Sequence, residues 1–119
     1  MFKVIIAGGR DFSDFELMST KMDMLLSKVK DKREVVVISG KAKGADTLGE
    51  RYATSRNFKV EEYPANWDKY GRSAGYRRNE EMAEHAEALV AFWDGKSKGT
   101  SHMIEYAKSK GLKVRIIYY

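Results

Sequence analysis

Three short glycine-bearing segments hold the residues whose types and spacing could do chemistry. They are Gly8-Gly9-Arg10-Asp11, Ser39-Gly40-Lys41-Ala42-Lys43-Gly44-Ala45-Asp46 and Asp94-Gly95-Lys96-Ser97-Lys98-Gly99-Thr100. Each follows an apolar run and precedes a stretch patterned as helix. Glycine lets the backbone approach a ligand closely, and a helix N-terminus offers unpaired N–H groups to an anion. Lysines inside two of the segments add positive charge. The chemistry this combination serves is the capture of phosphate, and so of a nucleotide or a similar ligand.

In the first segment, Gly8 and Gly9 let N–H groups face a ligand, and Arg10 can clamp a phosphate or stack on a base. The competing assignment is a tight strand-to-helix turn in which Arg10 and Asp11 pair with each other or with neighbours. The segment is not the dinucleotide fingerprint G-x-G-x-x-G. The second, with Ser39, Gly40, Lys41, Lys43, Gly44 and Asp46, has the composition of a phosphate loop. No Lys-Ser/Thr pair follows its last glycine, which argues against ATP hydrolysis of the P-loop kind. Asp46 is either a ligand contact or a cap of the helix it opens. The third, with Gly95, Lys96, Lys98, Gly99 and Thr100, is the strongest anion-site candidate of the three. A fourth cluster, Trp67, Tyr70, Arg72, Tyr76, Arg77, Arg78 and Asn79, joins aromatics that can stack on bases to arginines that can take phosphates. Glu80, Glu81, Glu84 and Glu87 follow it and read mainly as a solvated face. His85 and His102 have no metal-ligand spacing, so no metal or cofactor is expected.

These segments need a frame. Phe2–Ala7, Val35–Ile38, Phe58–Tyr63, Ala88–Trp93 and Val114–Tyr118 read as strands, the third nearest an edge. Ser13-Asp14-Phe15-Glu16 has the form of a capping box, and Met18, Met22, Leu25 and Val29 follow at helical spacing. Ala45–Arg56, Ser73–Ala86 and Ser101–Lys110 read as further helices, with Gly111 a C-terminal cap. Strict strand–helix alternation predicts one Rossmann-like α/β domain over residues 1–119. It should be a three-layer sandwich with a five-stranded, mostly parallel sheet, helices on both faces and the first strand central. The long connection from Pro64 to Arg72 contains the only proline and reads as an ordered, functional loop.

Composition sets the outer limits. The chain has 43% hydrophobic and 33% charged residues, the make-up of a soluble globular protein. It has no cysteine, which rules out disulfides, thiolate metal sites and a cysteine nucleophile, and suits the cytoplasm. No apolar run approaches the roughly 20 residues that cross a bilayer. The net charge of +5 favours anionic partners without identifying one.

In order along the chain, Gly9-Arg10-Asp11-Phe12, Ser39-Gly40 with Lys43-Gly44-Ala45-Asp46, Ala65-Asn66-Trp67-Asp68 with Tyr70-Gly71, Ala74-Gly75 with Arg77-Arg78-Asn79 and Met82, and Gly99-Thr100 resemble the YspA-like, YpsA-related branch of the SLOG superfamily. The resemblance covers nearly the whole chain. It implies a Rossmann-like fold that binds a nucleotide-derived ligand, for example one like ADP-ribose, as a sensor or sequestering module. It also implies a bacterial or phage source and association into dimers or larger assemblies.

Two relatives within the superfamily frame the alternatives. Arg78-Asn79 and Met82 look similar to the Arg-Lys…Met helix of the phosphoribohydrolases, which cleave an N-glycosidic bond. The hydrolases' P-G-G-x-G-T-x-x-E loop is altered here, with Met103 where the glutamate would stand. Glu105 lies half a helical turn further on. The DNA-processing branch binds single strands, a third possibility that the basic loops leave open.

Overall fold

The computed structural model describes all of residues 1–119. Five strands, β1 (Phe2–Gly8), β2 (Val35–Ser39), β3 (Lys59–Glu62), β4 (Ala88–Trp93) and β5 (Lys113–Tyr118), form one sheet in the order β3-β2-β1-β4-β5. Every neighbouring pair is parallel. The helices are α1 (Phe15–Leu26), α2 (Ala45–Ser55), the single turn α3 (Trp67–Tyr70), α4 (Ala74–His85) and α5 (Lys98–Ser109). The architecture is the Rossmann-like α/β sandwich that the alternation predicts, with β1 at its centre.

A strand buried on both faces reads as an unbroken apolar run, as β4 does throughout, β2 from Val35 to Ile38 and β1 from Val4 to Ala7. On one face Val4, Ile6, Val37, Val90 and Phe92 pack under α1 and α2, against Met18, Met22 and Tyr52. On the other, Ile5, Ile38, Leu89 and Ala91 meet Met82 of α4 and Met103 and Ile104 of α5. Burying each such side chain contributes roughly 1.5–3 kcal/mol. The edge strand β3 is Lys-Val-Glu-Glu, and its charges discourage pairing with another sheet.

Two local details depart from the sequence reading. Asp14, not Ser13, caps α1, its Oδ1 accepting from the Leu17 N–H at 2.9 Å. Helix α5 starts at Lys98, earlier than expected. Asp94 makes that start possible by folding the preceding turn, its Oδ1 accepting from the N–H groups of Lys96 (2.8 Å) and Ser97 (2.9 Å). The long connection after β3 is ordered, as read. It holds α3, capped by the Asn66 side chain, and a 3-10 turn over Gly71–Ser73 that leads into α4.

Strand order decides where a ligand can enter. The chain winds from β1 outward to β3, then returns across the sheet through α3 and α4 to place β4 on the other side of β1. The connections after β1 and β4 therefore diverge, and a crevice opens between them at the carboxyl ends of the strands.

Candidate functional site

A cleft of about 250 Å³ lies at this divergence. The end of β1 contributes Gly8 and the loop after it Arg10, while the loop after β2 contributes Ala42 and the first turn of α2 Asp46. The start of α5 adds Ser97, Gly99 and Thr100, and the α3–α4 segment closes the cleft with Trp67, Arg72, Gly75, Tyr76, Arg78 and Asn79. Met82 and Met103, both buried, line it from below.

The loop after β1 is tied to its neighbours through Gly9, whose carbonyl accepts from the N–H groups of Phe12 (3.2 Å) and Ala45 (3.1 Å). That approach needs glycine at position 44. Gly44 has φ +76°, and a Cβ there would stand 2.3 Å from the Gly9 oxygen. Arg10 is exposed and makes no ion pair within the chain. Asp11 accepts a hydrogen bond of 2.5 Å from the Tyr119 hydroxyl, so its carboxylate is engaged away from Arg10.

Within the loop after β2, Ser39 is fully buried and donates to Glu50 Oε2 at 2.6 Å. The Lys41 ammonium sits between Glu50 (3.1 Å) and Glu62 (2.7 Å) and is neutralised there. Lys43 is exposed and forms no ion pair. Asp46 is 5% exposed, and its Oδ2 accepts from the Ala42 N–H at 3.3 Å. Burial pushes its carboxyl up to about 6, against the pull of the nearby Arg78 charge.

Arg78 is the centre of the site. It donates from Nη1 to the Gly40 carbonyl and from Nε to Asn79 Oδ1 at 3.1 Å. Burial lowers its proton affinity, Asp46 raises it, and the neighbouring positive charge of Arg10 lowers it again. Asn79, also buried, donates from Nδ2 to the Gly99 carbonyl (3.2 Å) and to His102 Nδ1 (3.3 Å). That assigns the His102 proton to Nε2, which lies 3.6 Å from Glu80. Through Asn79, α4 is fastened to the start of α5, so Arg78 and Gly99 keep a fixed separation.

The sequence candidates thus divide. Gly8, Arg10, Asp46, Trp67, Arg78, Asn79, Gly99 and Thr100 come together around the cleft. Gly40, Lys41 and Lys43 line an adjoining chamber that shares Arg10, Trp67 and Arg78 with it. Tyr70 and Arg77 stack on each other, guanidinium 4.5 Å from the ring centre, and face a separate groove. Gly95, Lys96 and Lys98 stay at the surface outside the cleft, with Gly95 in the turn that Asp94 folds.

Tyr76 and Arg72 of the aromatic–cationic cluster also line the cleft, and Gly75, Met82 and Met103 line it without having been singled out as ligand contacts. A signal existed for most of them: Gly75, Arg78, Asn79 and Met82 are spaced three and four apart and so share one face of α4. Gly75 also leaves space for the Trp67 ring, which a Cβ there would touch at 3.4 Å. Glu105 is exposed, while Thr100 and Met103 are the α5 side chains that reach the cleft. Asp46 is the one carboxylate that lines it.

Comparison with known proteins bears on the family and the fold. Residues 2–70 match the model of the YspA, cpYpsA-related SLOG family. The chain is 33% identical over 121 residues to the Gene 61 protein of Mycobacterium phage D29, covering 96% of this chain and 94% of that protein. Among solved structures it resembles DNA processing protein A (DprA) from Streptococcus pneumoniae, with a TM-score of 0.74 and 18% identity. That match takes in 98% of this chain but spans only 50% of DprA. It also resembles TM1055, with a TM-score of 0.68, 18% identity, and 96% and 72% of the two chains covered. At such identity the two structures speak for the fold alone. No helix of the protein is long and apolar enough to cross a membrane. On the family match and the phage relative together, the chain belongs to the YspA, cpYpsA-related SLOG family.

Proposed function

We propose that the protein binds a nucleotide or nucleotide-derived ligand in the cleft between β1 and β4, as a sensor or sequestering module. One observation carries the reading: Arg10 and Arg78 stand together at a switch-point cleft with no ion pair to a carboxylate, beside two helix starts. Neither Gly44 at α2 nor Ser97 at α5 supplies a side-chain cap. N–H groups at such starts and paired guanidiniums both favour phosphate oxygens. Trp67, 51% exposed, and Tyr76, 44% exposed, provide aromatic faces at the mouth for a base. Membership of the SLOG family agrees with a nucleotide-related ligand.

A second reading, hydrolysis of a nucleotide N-glycosidic bond, is favoured by Asp46 alone. Oxocarbenium chemistry needs a positioned carboxylate, and Asp46 is the one the cleft offers.

The test is a thermal-shift screen of the purified protein with AMP, ADP-ribose, NAD, cyclic nucleotides and a short single-stranded oligonucleotide, followed by analysis of each hit for breakdown. A ligand at 100 times its Kd adds about 2.7 kcal/mol, enough to raise the Tm of a domain this size by several degrees. A shift with an intact mononucleotide derivative supports the binding module. Release of base supports the hydrolase. A shift with the oligonucleotide alone, falling steeply with salt, would replace both with single-strand binding.

A further inference from the structure

The two edges of the sheet are not alike. At one, β3 is four residues long, and Lys59, Glu61 and Glu62 are each held in an ion pair. At the other, β5 runs six residues as Lys-Val-Arg-Ile-Ile-Tyr, with no acid, proline or glycine to blunt it. Free N–H and C=O groups along such an edge invite another strand, and natural sheets usually guard against it.

Which groups are free follows from the ladder to β4. The Lys113 N–H donates to the Glu87 carbonyl at 3.1 Å, and the Tyr119 N–H to the Trp93 carbonyl at 3.2 Å. Backbone groups alternate in direction along a strand, so Val114, Ile116 and Tyr118 turn theirs outward. No loop or turn gives these three a backbone partner. The one side-chain approach is Arg115 Nη1, 3.5 Å from the Val114 carbonyl. Side chains alternate as well. Val114 and Ile116 are half-buried on the α5 side, with Tyr118 exposed at their end. Ile117 packs on the α1 side, the side to which Lys113 and Arg115 also belong.

Charge selects how this edge can meet itself. A two-fold axis perpendicular to the sheet sets two copies of β5 antiparallel and keeps each residue on its own face. Centring the pair on Val114 puts Lys113 opposite the partner's Arg115. Centring it on Arg115 puts that residue opposite the partner's Arg115. Like charges directly opposite are destabilising, so both registers are disfavoured. Centring on Ile117 carries Val114 past the end of the partner's β5. Centring on Ile116 has none of these faults. Ile116 meets the partner's Ile116, Val114 meets the partner's Tyr118, and every outward N–H and C=O of the strand gains a partner. Arg115 then meets the partner's Ile117, at the rim of an apolar hollow of about 180 Å³ that Phe2, Leu25 and Val29 help to line.

We propose that β5 is an interface with a second copy of this chain, the two strands pairing antiparallel about Ile116 so that two five-stranded sheets become one. The proposal stands apart from the nucleotide reading, because no residue of β5 lines the cleft.

The experiment measures the mass of the intact protein by light scattering after gel filtration, from about 1 to about 100 μM chain. The wild type should reach twice the mass of one chain. Ile116→Pro removes an outward N–H and leaves the ladder to β4 intact, so it should run at the mass of one chain with unchanged far-ultraviolet circular dichroism. Cysteine cross-linking reads the register, and the chain has no cysteine of its own to interfere. Opposite residues that share no hydrogen bond have Cα atoms about 4.5 Å apart, within disulfide range. Arg115 and the partner's Ile117 form such a pair. A mixture of the Arg115→Cys and Ile117→Cys proteins should therefore give a covalent dimer with oxidised glutathione, while neither does so alone. A single-chain mass for the wild type throughout overturns the proposal. So does a wild-type dimer whose cysteine mixture fails to cross-link, since the copies then meet through another face. Cross-linking of Arg115→Cys alone overturns it too, because the strands would then pair about Arg115. The cysteine mixture decides the question even if the proline variant does not fold.

Discussion

Arg78 on α4 donates its Nη1 proton to the carbonyl of Gly40, the residue that follows the last residue of β2. One side chain thus joins the segment that crosses the sheet to the loop it crosses over. The same guanidinium contributes to the cleft, to the adjoining chamber and to the environment of Asp46.

Gly40→Ala tests this junction directly. A Cβ at position 40 would stand 2.7 Å from Arg78 Nη1 and 2.8 Å from Asp46 Oδ2, closer than packed atoms tolerate. Both are side-chain ends, so the fold can adjust by moving them, at a cost of about 1–2 kcal/mol for the lost hydrogen bond. The ligand geometry cannot adjust in that way. The variant should keep its far-ultraviolet circular dichroism and lose about tenfold or more in nucleotide affinity, read by calorimetry. Unchanged affinity would show that Arg78 does not need this anchor to hold a ligand.

How much of this was legible in the sequence follows from how far apart the partners lie. Local signals carried the five strands, the central place of β1 and the ordered connection after β3, because apolar periodicity and turn residues act over a few positions. Asp14 took the cap from Ser13 because both residue types cap well, and only the dihedral angles at the helix start choose between them. Lys41 shows the harder case. Its partners Glu50 and Glu62 come from α2 and from β3, and Glu62 reaches it because the register pairs Ser39 with Glu62. No spacing rule gives that register. The meeting of Arg78 with Asp46 is likewise a product of the return crossing through α4.

The aromatic pair at the mouth predicts a separable loss. Trp67 is half exposed and its ring lies beside Gly75, so Trp67→Ala removes little buried contact. Stability should change by under about 1 kcal/mol, as for most exposed positions. Stacking of a base on an aromatic is worth about 1–3 kcal/mol, so affinity should fall about 5- to 150-fold. Loss of affinity with an unchanged Tm supports base stacking at Trp67. Retained affinity would move the base to Tyr76, for which Tyr76→Ala is the matching test.

Lys41 predicts the opposite pattern. Its ammonium is occupied by two carboxylates, and its backbone has φ +63°, a region that costs a side-chain-bearing residue about 1 kcal/mol or more. Lys41→Gly loses two solvent-exposed ion pairs, each worth about 0–1 kcal/mol, and relieves that strain. The net change in stability should be within about 1 kcal/mol, and nucleotide affinity should stay within about threefold. Lys43→Glu, at an unpaired cation two residues on, should weaken binding clearly. If Lys41→Gly abolished binding, the ammonium would have to leave Glu50 and Glu62 when ligand arrives.

Asp46 separates the binding module from the hydrolase. An acid with an ordinary value of 3.8 that rises to about 6 in the fold holds its proton more tightly folded than unfolded. Its burial therefore costs nothing below about pH 4, and the penalty grows as pH rises through 4 to 6. Above that range it levels off on the order of 3 kcal/mol, at about 1.4 kcal/mol per pH unit. Asn stands in for the protonated acid, so Asp46→Asn should match the wild type near pH 4 and exceed it by about 2–3 kcal/mol at pH 7.5 in urea unfolding. The same variant removes a negative charge beside Arg78. A binding module should then hold a phosphate-bearing ligand several-fold more tightly at pH 7.5, whereas a hydrolase should keep its ligand and lose base release altogether. A stability gain with no change in either affinity or turnover would place Asp46 outside the ligand's reach, with a purely structural part at the start of α2.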